Sequence, residues 1–495
     1  MSFSGDTAAA TSGDGDNNPA ACLKPVPGSY GIPFFSPIKD RLAFFSQPPL
    51  AYFQSLSDRL SSTVLRVNMP PGPFISGDSR VVALLDSKSF PALFDLTKVH
   101  KHLVLEGTYA PSAALTGGYR PCAYLDPSDP KHSKLKTLIL DHLLAPRKLA
   151  VIPSFIVAYS SLLDAVDNKL AAGGGGAVFN DLNDEAAFEF VGDAFFGVPP
   201  SSTSLRRSGH RRAVKWLGLQ LHPILTLGLP KLIEEIFLHT FPLPPFLVRS
   251  DYKKLYDYFL AAGAAVLEEA EKLGLPREEA CHNVLFAAVF NAFGGIKVFF
   301  PSLVRRVAEG GAALHAMLAV EVREVVAAHG GKVTAAGLEK MKLVKSVVWE
   351  ALRLDPPVPY QYARAKKDFI VESHDGRYLI KEGEMVFGFQ PMATRDEWVF
   401  ERGGEFVPER FVGEDNRRQL LRHVLWSNGP ETEAPALGNK QCAGKDMVVT
   451  VGRLLVVVIF LRYDSFTADV RSKGSDSKVT ITSVMKAAGG GDGLK

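Results

Sequence analysis

The sequence predicts one large, mainly helical domain with a smaller sheet-bearing part, and three observations predict it. Apolar residues recur at helical spacing over residues 251–270, 338–354 and 445–460. Short alternating runs at 63–67, 377–380 and 384–389 read as strands, near the beginning and after residue 370. Length alone suggests about three domains for 495 residues, but no internal repeat and no linker-length stretch divides them. The Gly, Pro and small-residue clusters at 70–73, 171–176, 310–313 and 330–331 are short enough to be turns. The expected organisation is a disordered polar leader at 1–24 followed by a single domain at 25–495.

Composition narrows the function classes. Hydrophobic residues at 46% and charged residues at 22% describe an ordinary globular chain. A net charge of +3 gives no electrostatic reason to bind nucleic acid, and none is expected as a partner. Cys22, Cys122, Cys281 and Cys442 are too scattered for a disulfide framework, and no pair has zinc-ligand spacing, so a reducing compartment is expected. The leader has no apolar signal core. It carries Asp6, Asp14 and Asp16 and no basic residue before Lys24, the reverse of a transit peptide, so the expected location is cytoplasmic rather than plastid.

Two apolar stretches require a membrane test. Residues 284–304 contain Asn291, Lys297 and Pro301. A lysine at a bilayer's centre costs about 2.5–3.5 kcal/mol. Residues 447–461 hold Arg453 and fall short of the roughly 20 residues a span needs. Both read as helices inside a large core. The chain is expected to be soluble or peripheral, with contact at a membrane surface left open.

The segment most informative about chemistry is 426–446, where a Gly-rich loop delivers Cys442 just before an apolar helix. First-turn amides and the helix dipole favour an anion there, Lys440 adds positive charge, and Gly444 leaves room for a flat group. A buried structural cysteine is the plainer alternative on Cys442 alone. Two further segments outweigh it. Glu350 and Arg353 lie three apart on one predicted helix, which ends at Asp355 ahead of Pro356 and Pro357. Downstream, the FVPERF run at 406–411 offers Arg410 as a second guanidinium.

This combination resembles the cytochrome P450 superfamily, over nearly the whole chain. NKQCAGKD at 439–446, the extra residues between Gly429 and Cys442, FNAFGG at 290–295 and YLDPSDPKH at 124–132 are similar to the plant fatty-acid-hydroperoxide group of allene oxide synthases, hydroperoxide lyases and divinyl ether synthases. The resemblance implies a cytochrome P450 fold and haem b, with Cys442 as the axial thiolate ligand of the iron. It implies that Glu350, Arg353 and Arg410 form a buried structural ionic cluster. Lys101, His132, Lys136 and Lys440 match positions at or near the haem propionates. Asn291 would bind the hydroperoxide oxygen, and Lys297 would help to fix the substrate, a 9- or 13-hydroperoxide of linoleic or linolenic acid.

Residues 284–300 contain no Ser, Thr, Asp or Glu, so the proton relay of a dioxygen-activating monooxygenase is missing. A substrate that arrives already oxidised needs neither NADPH nor a redox partner, which leaves the conventional monooxygenase a distant alternative. Two residues bear on the branch of the reaction. Leu105 stands where allene oxide synthases carry a radical-facing Phe, and Ala123 stands where they often carry Ser. Both changes favour fragmentation, while Lys297 and Gly444 look more like allene oxide synthases. The sequence-based expectation is a hydroperoxide lyase giving short aldehydes and oxo-acids through a hemiacetal, with allene oxide synthase as the alternative.

Overall fold

A computed structural model describes residues 23–102, 104, 112–473 and 476–488. Near the N-terminus, helix α1 (Phe35–Phe44) precedes a five-stranded sheet built from distant parts of the chain. Its strands are β1 (Val64–Asn68), β2 (Arg80–Leu84), β3 (Val99–His100), β4 (Tyr360–Ala365) and β5 (Met385–Phe389), in spatial order β1-β2-β5-β4-β3. Only β2 and β5 pair in parallel. Every residue of β5 is buried, as a central strand covered on both faces requires.

The helical part contains α2 (Pro130–Thr137), α3 (Val151–Ala171), α4 (Phe179–Phe196), α5 (Arg277–Glu309), α6 (Lys342–Leu354) and α7 (Lys445–Arg462). The Asp129 carboxylate caps α2 by accepting the Lys131 N–H at 2.8 Å, and Pro130 occupies the first turn, where a missing donor costs nothing. Helix α7 is buried on all sides from Val451 to Phe460 because its apolar residues run around the whole helix. It packs against α3 and α5, and α5 also packs against α4 and α6. Among the described residues, α5 is long and apolar enough to cross a membrane, yet 56% of its most apolar window is buried inside the protein. Its Phe286–Phe293 segment has π-helical bonding, which re-aims side chains within an otherwise regular helix.

The predicted fold class and the three predicted strands are present, with differences at the boundaries. The helix expected over 251–270 is divided at Gly263 into Arg249–Ala262 and Ala264–Lys272. That expected over 338–354 breaks at Met341, whose ψ of 83° leaves the helical region. Sequence reasoning missed the hairpin of Tyr463–Lys473 with Asp476–Lys486, two 11-residue strands after α7. Register shifts between Tyr463 and Ser465 and between Thr467 and Ala468 interrupt the two-residue alternation that would have marked it.

Candidate active site

The structure brings Glu350, Arg353 and Arg410 together. One turn apart on α6, the Arg353 Nε and Nη2 donate to the two Glu350 carboxylate oxygens, each at 2.7 Å. The Arg410 Nε reaches the same carboxylate at 3.0 Å, and the Val407 N–H donates to it at 2.9 Å. The remaining guanidinium donors go to carbonyls. Those of Arg353 bond Thr394 and Gly403 at 2.7 Å and Glu405 at 3.0 Å, and those of Arg410 bond Glu401 at 2.7 Å and Arg402 at 3.1 Å. The Glu350 and Arg353 side chains are 0% exposed, so removing one partner strands a charge with no access to water. The cluster clamps residues 394–410 against α6. It is scaffolding.

Cys442 sits half-buried on the loop leading into α7, and its carbonyl accepts the Lys445 N–H at 3.2 Å. Burial pushes its thiol up, against the Gly444 N–H, Lys136 and Lys445, which pull it down. Lys440 is not among these cations, contrary to the sequence-based expectation. Its ammonium turns away and donates to the carbonyls of Cys122, Ala123 and Leu125 at 3.0, 2.9 and 2.8 Å. Burial there opposes the charged form of the thiol, and bonding to a metal would offset that opposition. The loop is positioned by groups that motif reading passed over. The Asn439 Oδ1 accepts the Gln441 N–H at 3.2 Å, and Gln441 Nε2 donates to the Pro430 carbonyl at 2.6 Å. An Asx turn in NKQC was the available signal.

Lys101, Lys136 and Lys440 form one cationic cluster with the His132 ring beside them, although the four come from three separate segments. From α2, Lys136 Nζ donates to the Asn439 and Gln441 carbonyls at 2.5 and 3.1 Å, tying α2 to the cysteine loop. Lys101 is buried with its Nζ on the Tyr362 carbonyl at 2.7 Å, and its N–H donates to Asp126 at 2.6 Å. Burial pushes Lys101 down to about 7, with Lys440 adding repulsion and Asp126 opposing. Burial also lowers Lys136 and Lys440, each to about 8, and His132 to about 4, where both of those lysines contribute. Among the described residues, the buried His132 Nδ1 has no hydrogen-bond partner. An excess of desolvated positive charge with a spare ring nitrogen fits a group bearing carboxylates.

One face of α5 is accessible. Asn291 and Val298 are exposed and Ala287, Gly294 and Gly295 half-exposed, while Ala288, Val289, Phe293 and Ile296 are buried. These accessible positions lie at helical spacing and form a stripe. A Cβ added to Gly295 would meet nothing within 4 Å, and one added to Gly444 would meet only the Cys442 Sγ, at 3.9 Å. Both glycines therefore border open space, which suits a flat macrocycle and a bound chain. The Lys297 ammonium ion-pairs with Asp184 of α4 at 2.6 Å and so ties two helices. Ala123 is half-buried beside the cationic cluster and contributes its carbonyl to Lys440. Leu105 lies outside the described residues.

Burial gives Lys101 a pH signature. Its folded-state value of about 7 lies below the usual 10.5, so between those values the unfolded chain binds more protons. Stability of the haem-free chain should therefore rise with pH across that window, with the full penalty present below about 7. Lys101→Met should reduce that slope, leaving the share that Lys136 and Lys440 contribute above about 8, and stabilise the haem-free chain, yet speed haem loss from the loaded protein. Urea midpoints against pH, together with haem transfer to an acceptor protein, measure the two effects. A variant with unchanged slope and unchanged haem loss would take Lys101 out of the cluster's role.

A cysteine at the head of a buried helix, a clamped Glu–Arg–Arg cluster, a cationic pocket and an open helix face fit the class of protein that would hold a haem through a thiolate. Comparison with known proteins agrees: residues 313–470 match the family described as Cytochrome P450. The chain is 58% identical over 468 residues to allene oxide synthase 2 of Oryza sativa subsp. japonica, covering 94% of this chain and 96% of the relative. It is 51% identical over 467 residues to the chloroplastic allene oxide synthase of Arabidopsis thaliana, covering 94% and 90%. It is 52% identical over 464 residues to the chloroplastic allene oxide synthase 1 of Solanum lycopersicum, covering 94% and 86%. The chain belongs to the cytochrome P450 superfamily, in the plant fatty-acid-hydroperoxide group that contains the allene oxide synthases.

These findings correct two expectations. The lyase reading rested on Leu105 and Ala123, two positions weighed against a whole pocket. Similarity over nearly the full chain to relatives named allene oxide synthase overturns it. Ala123 acts through its backbone toward Lys440, so the absence of a hydroxyl there says little about the fate of a radical. The cytoplasmic reading rested on leader composition and is overturned by relatives named chloroplastic. Targeting signals are loosely encoded, and three aspartates in residues 1–24 do not outweigh that similarity.

Proposed function

We propose that the chain is a plastid allene oxide synthase, a hydroperoxide dehydratase that carries haem b. Near-full-length similarity to relatives with that name is the observation that carries this reading. The substrate is a polyunsaturated fatty-acid hydroperoxide, with the 9- and 13-hydroperoxides of linoleic and linolenic acid as candidates. The net reaction removes one water from the hydroperoxide. Oxidising equivalents are therefore neither gained nor lost overall, and no dioxygen, NADPH or reductase enters. When bound, haem would supply the iron chemistry for opening a weak O–O bond without an outside reductant.

The chain's own residues hold and orient. Cys442 Sγ would hold the iron, and Lys101 and His132, backed by Lys136 and Lys440, would receive the propionates. Asn291, on the accessible face of α5, presents an amide that can donate to one oxygen of the hydroperoxide and accept from the other as charge shifts between them. Gly295, where an added Cβ would meet nothing within 4 Å, leaves room near it for the acyl chain, and no side-chain acid or hydroxyl in 284–300 competes for the proton. The reactive carbons stay in apolar surroundings, which favours loss of a proton over capture of water.

Purified ferric protein incubated anaerobically with each hydroperoxide, without reductant, should give ketols, the hydrolysis products of an allene oxide. Short aldehydes as the main product would overturn the dehydratase reading. Asn291→Gln should keep the haem content and slow turnover by about tenfold or more, since the amide is moved by one methylene. Unchanged kinetics would remove Asn291 from the mechanism.

A further inference from the structure

The segment between Gly429 and Cys442 does more than deliver the cysteine. It folds back on itself. The Glu433 N–H donates to the Pro430 carbonyl at 3.2 Å, and Asn439 spans the turn, its Oδ1 accepting the Ala436 N–H at 3.0 Å and its Nδ2 donating to the Ala434 carbonyl at 3.1 Å. At the start of this segment Glu431 is pinned beside the short antiparallel pair Leu425–Trp426 and Gly429–Pro430. Its N–H donates to the Val424 carbonyl at 2.8 Å, and its carboxylate accepts from the Trp426 indole N–H.

Lys445, in the first turn of α7, meets Glu431 there. Its Nζ donates to the Glu431 carbonyl at 2.9 Å and lies 3.7 Å from the carboxylate Oε2, with the two side chains only 6% and 9% exposed. A lysine normally carries its ammonium out to water, so one folded inward beside a buried carboxylate is held against that tendency. The Asp446 carboxylate, 3.1 Å from the same ammonium, is 82% exposed and contributes little counter-charge. Lys445 stands three residues after Cys442, and its N–H already bonds the Cys442 carbonyl. Burial raises the Cys442 thiol, Lys136 and Lys445 are the cations that oppose it, and Asp446 is the acid that adds to it. Lys136 is shared with the cationic cluster on α2, which leaves Lys445 as the cation given to the sulfur alone.

We propose that Lys445, held by Glu431, is a positioning residue that acts through Cys442: its charge draws electron density from the sulfur and tempers the sulfur's donation to a bound iron. The proposal rests on the haem-thiolate reading and is independent of which product the site makes. Donation from sulfur promotes O–O cleavage, and a hydroperoxide bond, being weak already, opens with less of it.

The test is a potentiometric titration of the purified holoprotein at about pH 8, together with the infrared C–O stretch of its ferrous carbonyl adduct. That pH keeps Glu431 ionised, since burial pushes its carboxyl up against the pull of Lys445 and Trp426. Lys445→Met keeps the stem and removes the charge. The ferric–ferrous equilibrium should move about tenfold toward ferric, a fall of about 59 mV for one electron. The C–O stretch should fall with it, because a stronger sulfur donor feeds more electron density through the iron into the carbonyl. Lys445→Arg should restore both. Glu431→Gln leaves the Glu431 carbonyl on the ammonium but removes the counter-charge, so potential and stretch should both rise. A lysine that is merely structural would lower the thermal midpoint of the methionine variant and leave its potential and stretch at wild-type values, which would overturn the proposal. So would Glu431→Gln moving both in the same direction as Lys445→Met. A wild-type carbonyl adduct without the Soret band of a thiolate-bound haem would refute the ligand reading itself, and the proposal with it. A normal wild-type band with unmoved variants would refute the proposal alone.

Discussion

Cys442→Ala should yield a folded but nearly colourless protein. The Soret band of a thiolate-ligated haem should be absent from the purified chain, and hydroperoxide turnover should fall to background. The fold should survive, because the loop around Cys442 is held by contacts that do not involve its sulfur: Lys136 on the Asn439 and Gln441 carbonyls, and Gln441 Nε2 on Pro430. Far-ultraviolet circular dichroism should therefore match wild type while the visible spectrum collapses. Loss of colour together with loss of helix would leave the ligand role untested, so Cys442→Ser provides the companion measurement. It preserves the size of the side chain, and an oxygen ligand should shift the spectrum rather than abolish it. An alanine variant with intact Soret absorbance and turnover would assign the iron to another residue.

Glu350→Gln should destabilise the protein far more than loss of any surface ion pair. The substitution preserves volume but leaves the Arg353 and Arg410 guanidiniums facing each other without a counter-charge, in a site where Glu350 is 0% exposed. Removing one partner of such a buried pair costs about 3–5 kcal/mol, against a typical total stability of about 5–15 kcal/mol. The yield of soluble holoprotein and the thermal midpoint should both drop sharply. Lys253→Gln is the control. It removes an exposed pair with Asp257, whose expected contribution is about 0.3–0.5 kcal/mol. Equal midpoints for the two variants would show that the cluster is not what holds residues 394–410 against α6. Arg353→Lys should resemble Glu350→Gln, because an ammonium cannot serve the carboxylate and the Thr394, Gly403 and Glu405 carbonyls together.

Much of the site was legible because its chemistry is local. Glu350 and Arg353 are neighbours by helical spacing, and Cys442 is adjacent in sequence to the helix that it precedes. Lys297 shows where locality fails. Its apolar surroundings in 284–300 read as a pocket lysine, yet its partner is Asp184, 113 residues away on another helix. Lys440 shows the same failure over 315–318 residues, since its acceptors are carbonyls, which carry no residue-type signal. The hairpin after α7 was hidden by bulges that shift the alternation on which strand reading depends.

The sequence by itself determined the helical class, the helical spacing of Glu350 and Arg353, the place of Cys442 ahead of the last helix and the absence of Ser, Thr, Asp and Glu from residues 284–300. Only the tertiary structure decided which cations converge and in what state. Lys101, His132, Lys136 and Lys440 are ordinary basic residues along the chain. Their lowered pKa values arise from desolvation and mutual repulsion. Those forces depend on distance and water exclusion in three dimensions, which periodicity and spacing do not encode.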